Sequence, residues 1–167
     1  MDSNKLNNWL QVGAMFAVLV GLILLVVELR QNRDLMRAQT RHELAMMLVD
    51  VMLVPAANKQ LADVMYRANL GESLTPEELH QFRMRTNALI RYWENVHYQY
   101  RQGLYDDSEF DTHRRAWKHL LTGPTVSVGI RTYWCQNQSQ YSSAFVGELN
   151  DVIAGDPCED RPELAPY

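Results

Sequence analysis

The sequence predicts an all-α protein, in which an N-terminal transmembrane helix continues into a helical stalk and is followed by a small helical bundle. Three observations predict this fold. An apolar run near the N-terminus is long enough to span a bilayer, Gly and Pro are scarce (8 and 6 of 167 residues), and apolar residues elsewhere recur at helical spacing. The predicted organisation is a short flank (1–8), a transmembrane helix (9–27), a helical stalk (28–54), a soluble helical domain (55–155) and a disordered tail (156–167).

The apolar run extends from Trp9 to Val27 and contains one polar side chain, Gln11. A helix of this length is about 28 Å long, close to the roughly 30 Å of a hydrocarbon core. Trp9 has the place of an interfacial aromatic residue, and Glu28 and Arg30 end the run. A removed signal peptide requires a small-residue cleavage site after Val27, and an interfacial helix requires a polar face. Neither is present, so we predict an uncleaved single-pass span in the lipid bilayer.

Basic residues flank the span unequally. Lys5 precedes it, whereas four arginines follow it: Arg30, Arg33, Arg37 and Arg41. The positive-inside rule then predicts that the C-terminal domain is cytoplasmic. Besides setting the topology, these arginines can contact anionic headgroups. The two cysteines, Cys135 and Cys158, are too few for a disulfide framework or a zinc site, and in the cytosol both are expected to stay reduced.

A stripe of small residues, Gly13, Ala17 and Gly21, recurs every four positions within the span. Small side chains on one helix face allow a second helix to approach closely. The stripe predicts helix packing in the membrane, either in a homo-oligomer or against a protein partner. The alternative is that it has no role, because Gly and Ala are common in spanning helices.

The stalk is predicted to continue the same helix, because neither Gly nor Pro occurs between Glu28 and Leu53. Pro55 is expected to end it. Its apolar residues recur at spacings that fit one helical stripe: Leu35, Met36, Leu44, Met47, Leu48, Val51 and Met52.

Start and stop signals divide the domain into shorter helices. A second helix is expected over 59–69, before Gly71, and a third over 75–102, where Thr75 and Glu78 can form a capping box. The apolar side of the third helix contains Phe82, Leu89, Ile90, Trp93, Val96, His97 and Tyr100.

Three further segments complete the predicted domain. Asp106 begins a fourth helix, and Ser142 or Ser143 caps a last helix that extends to Ala154. The segment between them, from Thr125, alternates in part between apolar and polar residues, so that both a strand and a helix fit its pattern.

Candidate binding residues form a polar cluster on the third helix: Arg91, Glu94, Asn95, His97 and Gln99. Polar groups beside an aromatic face are often partly buried and then must be paired. Arg91 and Glu94 are three positions apart, close enough for an ion pair. The cluster is interpreted as a structural network that fixes helix packing or, alternatively, as a groove for a ligand or partner.

Glu94 and His97 also form a Glu-x-x-His pair, a motif of di-iron helical bundles. Such a site needs a second pair, and the sequence has no second copy. We therefore predict no metal and no cofactor. No catalytic residue is predicted, because Gly-x-Ser-x-Gly, phosphate-loop and dinucleotide motifs are absent. A net charge of −4 without a basic patch predicts no nucleic-acid partner.

Four segments carry a resemblance over most of the chain: Glu28–Arg33, Arg37-Ala38-x-Thr40, Arg91–Gly103 and the helix around Trp117. They are similar to a broad group of short, uncharacterised bacterial single-pass membrane proteins with a small helical cytoplasmic domain. The resemblance implies the bacterial inner membrane and the same architecture, and it implies no reaction. Such proteins are expected to have an aromatic or other apolar residue at position 97, which weakens a metal site at His97 further.

These features together predict a membrane-anchored helical interaction module, such as an accessory subunit or scaffold of a membrane-associated complex, rather than an enzyme. The dense aromatic residues are expected to form the domain core or anchors at a protein interface. The alternative is a helical ligand-binding or metal-dependent enzymatic domain, tethered to the membrane, that uses the polar cluster.

Overall fold

The computed structural model describes residues 3–123, 128–153 and 158. Over these residues the predicted all-α fold is confirmed, with a 3-10 helix, Gln138–Gln140, between the last two α-helices. The six α-helices described are α1 (Ser3–Ala57), α2 (Lys59–Leu70), α3 (Pro76–Arg101), α4 (Asp107–Thr122), α5 (Val128–Asn137) and α6 (Ser143–Ile153). The predicted disordered tail, apart from Cys158, lies outside the described residues, as does the start of the segment predicted from Thr125.

The chain divides into two compact units, Met1–Gln39 and Thr40–Tyr167. In the first unit, every side chain from Leu6 to Gln39 is exposed. Helix α1 is long and apolar enough to cross a membrane, and none of its most apolar window is buried, unlike the core helix of a soluble protein. The predicted long apolar helix near the N-terminus is therefore confirmed.

Helix α1 passes through Pro55 and ends at Ala57, so the expectation that Pro55 ends it was wrong. Proline lacks an N–H and leaves the carbonyl four residues earlier, that of Val51, without its helical donor. Arg85 of α3 replaces that donor, because its Nη2 donates a hydrogen bond to the Val51 carbonyl. The chain therefore tolerates proline inside the last turns of this helix.

The apolar stripe predicted for the stalk is covered only in part. Leu44 is buried in the second unit, and Leu48 and Val51 are half-buried. The other members of the stripe are exposed: Leu35, Met36, Met47 and Met52. Spacing places residues on one face of a helix, but it does not show how much of that face a neighbouring element covers.

Local capping interactions confirm the predicted start of α3 and the predicted stop of α2. The Thr75 hydroxyl accepts the Glu78 main-chain N–H, and the Glu78 carboxylate accepts the Thr75 N–H. Gly71 ends α2 with φ of +79°, a left-handed conformation that glycine adopts without strain. Arg67 of α2 forms an ion pair with Glu78, which joins α2 to the start of α3.

Aromatic side chains form the core of the second unit. Trp117 of α4 and Trp134 of α5 are buried, and Phe145 of α6 lies between them, with its ring centroid 5.9 Å from that of Trp117 and 5.8 Å from that of Trp134. Trp93 of α3 lies 5.9 Å from Trp117. Four helices therefore meet around these rings, as one of the two sequence interpretations predicts.

The segment that fitted both a strand and a helix is helical over its described residues, as α5. Its Gly129 is buried against α2 and α3. A Cβ atom at this position would lie 2.7 Å from the Ala68 carbonyl oxygen and 2.8 Å from Phe82 Cζ. The close approach of α5 to these two helices therefore depends on the missing side chain.

Cys135 and Cys158 form a disulfide, with their Cα atoms 5.5 Å apart. The prediction that both cysteines are reduced thiols was therefore wrong. The two residues are separated by 23 positions, and the intervening chain contains the 3-10 helix and α6. The pairing depends on the path of this loop, on which cysteine spacing carries no information.

Candidate functional site

The predicted polar cluster lies on α3 beside an open cavity of about 320 Å³. The cavity is lined by Arg91, Glu94, Asn95, His97, Tyr98, Arg101 and Ser142. Four of the five predicted residues therefore share one surface depression. The fifth, Gln99, does not line it, but its Nε2 donates a hydrogen bond to Asn95 Oδ1 at 3.4 Å.

Arg91 holds the chain that precedes α6. Its Nη1 lies 2.6 Å from Glu94 Oε2, and its Nη2 donates to the Gln140 carbonyl at 2.9 Å. The guanidinium also lies 4.5 Å from the centre of the Tyr141 ring, a cation–π contact. The Tyr141 hydroxyl in turn donates to Asn87 Oδ1 at 3.0 Å, so that α3 binds this segment at several points.

Glu94 receives the start of α6. Its Oε1 accepts the main-chain N–H of Ser142 at 2.8 Å, directly before the helix. The first N–H groups of a helix have no acceptor within it and carry partial positive charge, so a carboxylate is favourable there. Burial raises the pKa of Glu94, but hydrogen bonds from Ser142 and Arg91 outweigh burial and leave the pKa below its usual value.

His97 belongs to the aromatic core rather than to the open side of the cavity. It is 5% exposed, and its ring lies 6.1 Å from that of Phe110 and 5.8 Å from that of Phe145. Burial lowers the pKa of His97, which favours the neutral imidazole. Within the described part of the chain, no three His, Cys, Asp or Glu side chains come together as metal ligands.

Asn95 reaches from α3 to α1, where its Nδ2 lies 3.6 Å from Met47 Sδ. The polar cluster therefore makes contacts to α1, to the segment before α6 and within α3. These contacts match the interpretation of the cluster as a structural network, since its charged groups are already paired inside the fold.

The small-residue stripe of the first unit lies on one exposed face of α1. A Cβ atom added at Gly13 or Gly21 would have no neighbour within 4 Å, and Ala17 is exposed. The face is thus free of other described residues of this chain. Whether a second helix packs there stays a prediction.

A larger cavity, of about 550 Å³, was missed by the sequence reasoning. It lies in the second unit between the end of α1, the start of α2 and the first half of α3, and we call it the Arg85 cavity. Its lining includes Val51, Val54, Leu61, Met84 and Arg85. Residues from three helices form it, so no contiguous motif marks it. The one sequence signal was Pro55, which frees a carbonyl that a long polar side chain can reach.

Comparison of the chain with protein-family models, with curated proteins and with solved structures found no match.

Proposed function

We propose that this protein is a membrane-anchored interaction module. The apolar part of α1 stays in the bilayer, and a second helix packs on its small-residue face. The observation that carries this proposal is the complete exposure of the apolar run of α1 from Trp9 to Val27. An apolar surface of this size is stable in lipid or against a partner and unfavourable in water.

The small-residue face gives the anchor its proposed second role. Gly13, Ala17 and Gly21 lie on one face, open to close approach by another helix. The partner is a second copy of the chain or the membrane helix of another protein, with the present chain as its accessory subunit or scaffold.

The test compares two sets of substitutions in the full-length chain, expressed in bacterial membranes. One variant replaces Gly13, Ala17 and Gly21 with Leu. The control adds bulk on the opposite helix face, at 100° per residue, through Met15→Phe, Leu19→Phe and Val26→Phe. In-membrane crosslinking is expected to give a defined larger species in the wild type and the control and to lose it in the first variant. The mass of that species identifies a homo-oligomer or another protein.

Two results would contradict the proposal. The crosslinked species could persist unchanged in the Leu variant, which removes the packing role of the stripe. The full-length chain could also be recovered in the soluble fraction without detergent, which removes the anchor itself.

The side of the membrane is a separate part of the proposal, because two features favour opposite sides. The arginines after the span favour the cytoplasm. The disulfide between Cys135 and Cys158 favours an oxidising compartment, since cytosolic thiols are kept reduced. We give the disulfide more weight, because redox compartment decides whether it persists, whereas the charge rule is a bias. The domain is therefore proposed to lie on the periplasmic side of a bacterial inner membrane.

Sidedness is tested with one exposed reporter. In a chain with Cys135→Ser and Cys158→Ser, Ser139→Cys is expected to react with a membrane-impermeant maleimide in spheroplasts. Labelling that requires permeabilised membranes would place the domain in the cytoplasm and overturn this part of the proposal.

A further inference from the structure

The Arg85 cavity has the size and character of a small-molecule site. Its volume of about 550 Å³ falls within the roughly 300–1,000 Å³ typical of ligand pockets. Val54 and Met84, which line it, are more than half exposed. Apolar side chains that no described neighbour covers give an apolar ligand surface to bury.

Arg85 is the unusual group in this cavity. Its Nη2 is bonded to the Val51 carbonyl, but its Nε and Nη1 atoms are buried without a hydrogen-bond partner among the described residues. Asp50 also lines the cavity, yet none of the ion pairs in the described part of the chain includes Arg85. Burial lowers the pKa of Arg85, without an anion that opposes this effect.

A half-buried guanidinium with two buried, unused donors is unfavourable unless an anion accepts its hydrogen bonds. A carboxylate suits a guanidinium in charge and geometry. One arginine with Asp50 nearby suits a single negative charge better than a multiply charged group. The apolar walls then require that the anion carry a hydrocarbon part.

We propose that the Arg85 cavity binds a single-chain fatty carboxylate. Its carboxylate accepts hydrogen bonds from the Arg85 guanidinium after the side chain turns its buried Nε or Nη1 towards the cavity, and its hydrocarbon chain lies against Val54, Leu61 and Met84. A bilayer phospholipid fits less well in a cavity of about 550 Å³. It has two acyl chains, and each is long enough to fill half of a roughly 30 Å hydrocarbon core. This site is independent of the helix packing proposed for the span.

The experiment measures decanoate binding to the full-length chain in phosphatidylcholine nanodiscs. Carboxyl-¹³C decanoate is titrated and followed by NMR, with empty nanodiscs subtracted. Saturable binding is expected for the wild type. Arg85→Gln is expected to weaken it by about tenfold or more, the effect of losing a charge-assisted hydrogen bond. The matched control, Arg83→Gln, changes an exposed arginine of the same helix and is expected to leave binding unchanged.

A second variant keeps the proposal testable if Arg85→Gln fails to fold. Ala88 lines the cavity and is exposed, so Ala88→Trp fills the space without removing a core contact. It is expected to abolish decanoate binding while the circular dichroism melting curve stays unchanged. Three results would overturn the proposal: no saturable binding by the wild type, binding that survives Ala88→Trp, or 1-decanol that binds as tightly as decanoate.

Discussion

Arg85 donates a hydrogen bond to the carbonyl of Val51, 34 positions earlier in the chain. This carbonyl lacks a helical donor because residue 55 is proline. A main-chain carbonyl of α1 that has lost its helical donor is thus bonded by a side chain of α3. The same side chain carries the unpaired donors at the Arg85 cavity.

The link between these residues predicts a measurable coupling. In the wild type, Arg85→Met leaves the Val51 carbonyl without a donor, whereas after Pro55→Ala the new N–H replaces it. A double-mutant cycle on the free energy of unfolding is therefore expected to give a coupling of about 1 kcal/mol or more between positions 55 and 85. Urea denaturation in detergent measures it. Additive effects of the two substitutions would show that Arg85 does not substitute for the missing donor.

Glu94 is predicted to stabilise the start of α6. Glu94→Ala removes the acceptor of the Ser142 N–H and the partner of Arg91, and is expected to cost about 1–3 kcal/mol in unfolding free energy. The control is Glu72→Gln, at an exposed loop position, which should change the unfolding free energy by less than about 0.5 kcal/mol. Equal effects would contradict a specific role of Glu94.

The same carboxylate predicts a dependence on pH. Because the folded pKa of Glu94 is lowered, its contribution is complete above the unfolded pKa, about 4.3, and is lost as pH falls through the folded pKa. The difference in stability between wild type and Glu94→Ala should therefore shrink in acid. If the stability difference between wild type and Glu94→Ala does not change with pH, the Glu94 carboxylate does not stabilise the fold through its charge.

Buried histidine predicts a second effect of pH. The folded pKa of His97 is lowered by burial, so below its unfolded value of about 6.5 the unfolded chain binds more protons than the folded chain. Unfolding free energy should fall with decreasing pH from about 6.5, by at most about 1.4 kcal/mol per pH unit for one histidine, and level off below the folded pKa. His97→Phe should reduce this slope without abolishing it, because burial also lowers the pKa of His113.

Thermal unfolding between pH 5 and 8 measures the slope. The control is His42→Gln, at an exposed position of α1. An unchanged slope in His97→Phe would show that folding does not lower the pKa of His97.

Two glycines within helices are predicted to respond in opposite directions to alanine. At Gly129 the added methyl group would lie within 3 Å of the Ala68 carbonyl oxygen and of Phe82, so Gly129→Ala should destabilise by about 1–3 kcal/mol. At Gly147 in α6 nothing lies within 4 Å, so Gly147→Ala should stabilise by about 0.5–1 kcal/mol. Melting curves of both variants give the comparison. A stabilising Gly129→Ala would contradict the close approach of α5.

The disulfide is predicted to contribute to stability through the loop that it closes. A loop of 23 residues corresponds to about 3 kcal/mol in the chain-entropy estimate. Cys135→Ser and Cys158→Ser should each lower the unfolding free energy by about this amount, and the double variant by no more than either one. Free thiols in the protein extracted under non-reducing, alkylating conditions would show instead that the bond does not form.

Local chemistry allowed much of the fold to be predicted. Caps, glycine stops and helical periodicity act within about one turn, so they located α2, α3, α4 and α6 to within a few residues. Because these signals are local, the prediction that Pro55 ends α1 was wrong. Proline removes a donor locally, and the compensating Arg85 lies in a different helix.

In the polar cluster, too, contacts within one helix were predictable from the sequence and contacts between helices were not. The three-residue spacing of Arg91 and Glu94 predicted their ion pair, which lies at 2.6 Å. Spacing gave no indication of Ser142 and Gln140, the distant main-chain groups that these side chains hold, or of the Arg85 cavity. These contacts exist because α3, α6 and α1 pack together, and neighbours along the chain carry no signal of them.

By itself, the sequence determined that this chain is all-α and begins with a long apolar helix, because both properties follow from side-chain types counted over a few turns. Tertiary structure alone decided which faces are covered, that Cys135 meets Cys158, and that Arg85 lies half-buried beside an open apolar cavity. Each of these joins residues from distant parts of the chain, and the free energy of such contacts depends on how helices pack rather than on the local sequence.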